Sequence, residues 1–255
     1  MKAVPIFAFA GCLLGSASAA LAAEPQRLTL GAGVHYSEGD YATSTSTEIT
    51  SLALSARYDL GRWTFRGTLP WLEVSGSGAV VPGVGQVRGG AAGRSTASGF
   101  GDAVVSASYS AFYYPAAQAG IDFTGRIKLG TADDERLGTA ETDYGFQADA
   151  YKTFGALTVF GALGYTFFGS SSAFRLDDVF NATLGASYRI DPRDSVGLIY
   201  DEREAVSSAA SELSELMLFW SRQLDRAWKA QVYFLVGLAD GSPDWGAGLS
   251  AAYSF

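Results

Sequence analysis

The chain has 255 residues, a formal net charge of −8, 31 glycines, 48% hydrophobic residues, 13% aromatics and only 17% charged residues. One domain of ordinary size fits that length, and the charge content, below the roughly 25% of globular proteins, suits a surface that need not face water. The acidic balance argues against a nucleic-acid partner, which would need clustered Lys and Arg, and the single cysteine, Cys12, leaves no disulfide framework and no thiolate metal site.

The first element is a leader. Lys2 supplies a positive start, Ala3 to Leu14 is apolar, and Ala20-Leu21-Ala22 is a small-x-small cleavage site. Residues 1–22 are therefore expected to be a cleaved signal peptide, with the exported protein beginning near Ala23. Phe9-Ala10-Gly11-Cys12 loosely resembles a lipoprotein box, but the apolar stretch before it is short. Beyond the leader there is no run of 18 apolar residues, so a membrane would be crossed by strands and not by helices.

From Leu28 onward the dominant signal is alternation with period two. Side chains flip face at each strand residue, so such a segment has one apolar and one polar face. The first run is Leu28, Leu30, Ala32, Val34 and Tyr36, with Thr29 and His35 opposite. Leu52 to Leu60 follows, with Ser55, Arg57 and Asp59 on its polar face. Trp63, Phe65, Leu69 and Trp71 stand against Thr64, Arg66 and Thr68. The fourth run is Ala103, Val105, Ala107 and Tyr109. In the fifth, Ile121, Phe123, Gly125, Ile127 and Leu129 oppose Asp122, Thr124, Arg126 and Lys128. Runs from Tyr144 to Ala150, Leu157 to Phe167 and Phe180 to Tyr188 come next. The ninth, Val196 to Tyr200, is short. The tenth has mixed polarity, because Met217 and Phe219 share a face with Glu215. Trp228 to Val236 and Trp245 to Phe255 complete about twelve strands.

The connections alternate in length. Short turns are expected at Gly61-Arg62, 114–118, 153–155, 191–194 and Asp225-Arg226. Longer ones are expected at 38–47, 72–98, 131–141, 169–177, 205–211 and 239–243. Short turns on the periplasmic side and longer outer loops mark transmembrane barrels, and an even strand number puts both ends on one side. Trp63 and Trp71 stand eight residues apart, about 26 Å along a strand and about 20 Å of height once tilted. Further rings (Tyr58, Tyr188 and Trp228 at one rim, Tyr36, Tyr144 and Trp245 at the other) fit the two membrane–water boundaries. In hydrocarbon every backbone group needs an internal partner, which a closed sheet supplies. The fold expected is all-β: a transmembrane antiparallel up-and-down barrel over residues 23–255 in the bacterial outer membrane. Tyr253 and Phe255 at the chain's end resemble the signal read by the barrel-assembly machinery, an expected partner along with outer-membrane lipid.

Motifs for chemistry are sparse. His35 is the only histidine; an imidazole there could serve a hydrolase, but no nucleophile motif accompanies it, and no catalytic residue is assigned. Asp133-Asp134-Glu135 and Asp201-Glu202-Arg203-Glu204 could hold a hard cation, though solvated loop and rim charge accounts for both. No metal and no cofactor are expected. Gly83-Val84-Gly85 with Gly89-Gly90 neither follows a strand nor opens a helix, so nucleotide binding is discounted.

The inward face says more. Arg57, Arg66, Asp102, Asp122, Arg126, Lys128, Asp149, Arg189, Asp201, Glu215 and Lys229 are expected to line the lumen. They could pair into a filling network or line a narrow wet pore, since twelve strands lie between filled and wide barrels. The 27-residue stretch from Leu72 to Ser98 is long enough to be functional. Its Val80, Val81, Val84, Val87, Arg88 and Arg94 are expected to fold over the mouth and narrow it. The acidic loops at 38–48 and 133–141 predict a mild preference for cations.

Six further segments carry a family resemblance. They are Gly67-Thr68-Leu69-Pro70-Trp71, Ser98-Gly99-Phe100-Gly101-Asp102, Lys128-Leu129-Gly130-Thr131 with Asp143-Tyr144-Gly145, Leu163-Gly164-Tyr165, and Leu184-Gly185-Ala186-Ser187-Tyr188. In this order and spacing the chain resembles outer-membrane transporters of the phenol-degradation meta-pathway type. Leu129-Gly130-Thr131 stands where that family often carries a proline. The resemblance implies passive passage of small solutes, hydrophobic or aromatic compounds among them. Two other roles stay open: a structural or adhesive barrel with a plugged lumen, and an outer-membrane hydrolase.

Overall fold

The computed structural model describes residues 26–87, 93–171 and 175–255; the expected leader lies outside them. Alternating segments become β1 (Arg27–Gly39), β2 (Thr47–Leu60) and β3 (Trp63–Ser77), then β4 (Val80–Val81), β5 (Gly85–Gln86), β6 (Arg94–Phe100) and β7 (Ala103–Tyr114). After these come β8 (Ala119–Leu129), β9 (Asp143–Phe154), β10 (Leu157–Phe167), β11 (Val179–Arg189) and β12 (Asp194–Arg203). The wall ends with β13 (Leu213–Gln223), β14 (Trp228–Gly237) and β15 (Trp245–Ser254). Thirteen strands form one antiparallel sheet, and β4 pairs only with β5. The sheet closes where β1 meets β15, from Thr29 opposite Ser254 to Glu38 opposite Trp245. The Phe255 N–H donates to the Leu28 carbonyl at 2.9 Å.

Two of the thirteen strands share one place in the wall. β3 pairs with β7 over Trp63–Thr68 and with β6 over Trp71–Ser77, so the barrel has twelve staves. The break between them falls at Gly101-Asp102. Opposite it stands Pro70, which has no N–H to give; its carbonyl accepts the Gly101 N–H at 3.0 Å.

The outer face is what lipid requires. Leu54, Phe146, Leu163 and Leu184 are more than half exposed, Leu163 at 71%, a density of bare large apolar side chains that water would not tolerate. Among the described residues no helix is long and apolar enough to cross a membrane.

One expectation is corrected here. Residues 72–77 and 94–98 were expected in the long loop, but they extend β3 and β6 beyond the apolar belt. The polarity of the two faces inverts there. Above Trp71 the buried side chains are Leu72 and Val74, while Glu73 faces outward. On β2, Ile49 is buried opposite Val74. Water now bathes the outside, so the apolar residues turn inward and pack with Tyr41, Val80, Ala97 and Leu137. The mixed face of β13 has a similar cause. Met217 and Phe219 point inward and pack with Phe160, Ile199 and Leu235 inside the barrel. These rings lie flat on glycines: a Cβ on Gly197 would stand 2.3 Å from the Phe219 ring, and one on Gly185 2.3 Å from Phe160.

Candidate functional site

The lumen is built from two unequal walls. Register brings small side chains together on β15, β1, β2, β3 and β7: Ser250 faces Gly33, Gly33 faces Ala53, Ser55 faces Thr68, and Thr64 faces Ser108. The opposite wall, β10 to β14, carries the bulky cluster of Phe160, Ile199, Met217, Phe219 and Leu235. Bulk from one side fills much of the bore. Inward residues of the small wall toward the short-turn end (Ser55, Arg57, Arg66, Thr68, Ser106 and Ser108) nevertheless keep partial exposure, so solvent reaches them inside the barrel.

The long-loop end is crossed by chain. Residues 79–87 turn inward as the β4–β5 hairpin, in which Val80 faces Gln86 and Val81 faces Gly85. Val80 packs with Ile49, Leu72 and Val74 on one side. Val81, Val84 and Val87 pack with Leu176, Val179 and Val206 on the other. The hairpin thus bridges the mouth from the β2–β3 wall to the β11–β12 wall. Arg203, 3% exposed, donates from its guanidinium to the carbonyls of Gly83 at 3.1 Å and Val84 at 2.6 Å. Sequence reasoning took Arg203 for rim charge. Its inward register opposite Asn181 was legible, but a partner 120 residues away was not.

The sequence-predicted lining residues divide into groups. Asp102, set in the β6–β7 break, accepts the Lys128 ammonium at 2.9 Å and the backbone N–H groups of Thr131, Ala132 and Thr139 at 3.0 to 3.1 Å. Lys128 also pairs with Asp143 at 3.0 Å. These charges anchor the 130–142 loop over the break and do not face an open pore. Asp122, buried, accepts Ser110 at 2.5 Å, and Asp149 accepts Gln147 at 2.5 Å. Asp201 accepts Thr183 at 2.5 Å and stands in register with Glu215. Arg57 is bound by Asp59 through Nε and Nη2 at 2.9 Å. Arg66 and Arg126 face inward from β3 and β8, and Lys229 from β14 near the short-turn end.

Two expected positions are corrected. Arg189 is exposed at the short-turn rim, where it donates to the Gly155 carbonyl at 3.3 Å, because β11 ends there. Arg94 stands on the outer extension, bonded to Glu48 and to Ser75 at 3.1 Å, because β6 runs past the mouth. Of the mouth residues, Arg88 lies outside the described residues. Tyr253 meets Phe255 edge-on at 4.8 Å, and Phe255 is 70% exposed.

His35 is inward and buried. Its Nδ1 lies 2.8 Å from the Tyr233 hydroxyl and the rings stack, which makes it part of the wall's packing. The acidic runs have structural partners as well. Asp133 accepts the Phe100 N–H at 2.7 Å, and Glu204 accepts that of Phe180 at 2.8 Å. The Arg136 guanidinium and N–H hold the Asp134 carboxyl down to about 2. No group of three or more His, Cys, Asp or Glu able to hold a metal occurs among the described residues.

A family model described as "Putative MetA-pathway of phenol degradation" matches residues 32–255. The fold is shared with solved outer-membrane barrels. The crystal structure of an outer membrane channel from Pseudomonas putida F1 is similar at a TM-score of 0.74 and 18% identity, covering 94% of this chain and 98% of that one. The translocator domain of the autotransporter NalP from Neisseria meningitidis is similar at 0.56 and 10% identity, covering 89% and 88%. The KdgM porin is similar at 0.55 and 14% identity, covering 88% and 99%. No curated protein sequence matches the chain.

Proposed function

The chain belongs to the MetA-pathway phenol-degradation family, and on that premise we propose that it is a passive outer-membrane channel for small solutes, hydrophobic or aromatic compounds among them. The observation that carries this reading is the solvent-reached strip of inward side chains beneath the bridged mouth. A purely structural barrel has no use for a wet strip along one wall, whereas a narrow channel needs one. The family description supports aromatic solutes, and the apolar valines of the hairpin give such solutes a surface to cross. In this reading residues 79–87 form the constriction and Arg203 holds it closed.

The test is single-channel conductance of the refolded protein in a planar bilayer. Steady small openings are expected, and deleting residues 80–90 or replacing Arg203 with Ala should enlarge them. A folded but silent barrel would overturn the channel reading in favour of a structural or adhesive role. The buried hairpin is what favours that second reading. A hydrolase finds less support, since His35 is held by Tyr233. Export through a cleaved leader and assembly through Tyr253 and Phe255 complete the proposal. Deleting Phe255 should slow insertion without changing conductance once the barrel is folded.

A further inference from the structure

Gln231 of β14 and Ser250 of β15 stand directly opposite one another and point into the barrel. Ser250 in turn faces Gly33 of β1, and Gly33 faces Ala53 of β2. Gln231 is 1% exposed and Ser250 4%, yet neither amide atom of Gln231 nor the Ser250 hydroxyl has a hydrogen-bond partner. The hydroxyl of buried Ser51, one row nearer the mouth on β2, is unpartnered too. Among the described residues, Arg203 Nε is the one other buried side-chain nitrogen or oxygen without a partner. Buried polar groups are paired as a rule, and a bare one carries its full desolvation cost. Packing alone does not call for such groups, since Phe160, Ile199 and Leu235 fill the same bore with apolar atoms.

The surroundings suit a flat ring. One row nearer the mouth, the Tyr233 ring lies where a Cβ on Gly248 would stand. It stacks on His35 with 5.7 Å between centroids and 15° between planes. Below these rings Gly33 and Ala53 put no more than a methyl on the wall beside Ser250. One row further toward the short-turn end, Gly31 and Ser55 face each other and keep partial exposure, so the solvent-reached strip adjoins the pair.

We propose that Gln231 and Ser250 form a binding station for an uncharged hydroxyl group carried on a small aromatic ring. An amide offers N–H donors and a carbonyl acceptor, and a serine hydroxyl does both. The matching group must donate to Gln231 Oε1 and accept from Gln231 Nε2 or Ser250 Oγ, which a hydroxyl does. A carboxylate only accepts and an ammonium only donates, so each leaves part of the station bare; a hydrocarbon leaves all of it bare. The stacked Tyr233 and His35 rings give an aromatic solute a surface to pack on. The inference deepens the channel reading and rests on it for its use, which is to sort solutes in transit.

Fluorine NMR of 4-fluorophenol tests it on the refolded full chain in detergent micelles, with 4-fluorotoluene as the isostere lacking the hydroxyl and protein-free micelles as the reference. The wild type should bind 4-fluorophenol about tenfold more tightly than 4-fluorotoluene, and Gln231→Leu should erase that preference. Ser250→Ala should reduce it about threefold, and it carries the test if Gln231→Leu does not fold. Urea titration should find Gln231→Leu at least as stable as the wild type, because it exchanges a bare amide for an apolar side chain of similar size. A marked loss of stability would mean that the amide already has a partner in the wall, and would overturn the station. Equal binding of both probes by the wild type, or a preference untouched by both substitutions, would overturn it as well and leave water as the partner of these groups. Conductance separates this from the channel reading: a barrel that shows the preference in micelles but passes no current in a planar bilayer would overturn passage while the station stands.

Discussion

β3 belongs to two different solvents. From Trp63 to Trp71 its outward residues are Trp63, Phe65, Leu69 and Trp71, and its inward ones are Thr64, Arg66 and Thr68, with Pro70 closing the stretch. From Leu72 to Ser77 the inward residues are Leu72 and Val74, and Glu73 faces out. The backbone, the pairing with β2 and the period are the same in both parts. Only the surroundings change, from lipid outside a wet bore to water outside a packed mouth. The difference shows that the pleat decides which residues share a face, and the medium decides which face is apolar.

Substitutions can break that comparison. The largest effect is expected from Leu54→Arg, which puts a charge on the lipid face of β2. It should cost about 2–4 kcal/mol, measured by urea titration of the barrel in lipid vesicles. If Leu54→Arg is neutral, the belt has been placed wrongly. Leu72→Ala, 2% exposed in the upper zone, should cost about 2 kcal/mol by opening a cavity beneath the mouth. It should also loosen the hairpin, seen as noisier single-channel current. Glu73→Leu shares the outward face of Leu54 but lies in water, and should change stability by less than about 0.5 kcal/mol. A cost comparable to that of Leu54→Arg would mean that the inversion at Trp71 is not real.

The smallest effect concerns pH in the watery zone. Asp134 is held low by Arg136, so its folded value lies below its unfolded one. The stability it lends the 130–142 loop is complete above the unfolded value near pH 4 and is lost as pH falls toward 2. Amide exchange in this loop should quicken between pH 4 and 2 relative to an Asp134→Asn protein. Equal exchange in both would remove Asp134 from the account.

What the sequence made legible follows the same division. Strand order, turn register and the lipid face were readable because hydrocarbon enforces a strict rule at every second residue. The 94–100 strand was not, since in water Ser95, Ala97 and Gly99 obey no such rule. The inward charges were readable as inward, from register alone. Their roles were not. Asp102 and Lys128 look like Asp122 and Arg126 in the sequence, yet the first two anchor a loop. Arg203 was read as rim charge because its partners are carbonyls of a distant segment, which any sequence supplies.

The seam between β1 and β15 has a consequence in time. The Thr29 and Ser254 hydroxyls, 2.9 Å apart, join residues 225 positions apart. Until that contact forms, both edge strands present bare N–H and C=O groups, which other sheet edges can capture. Contacts so distant in sequence form late and slowly. The interval before closure is when this chain is most exposed to mispairing, and a slow final phase in its refolding is the mark that interval should leave.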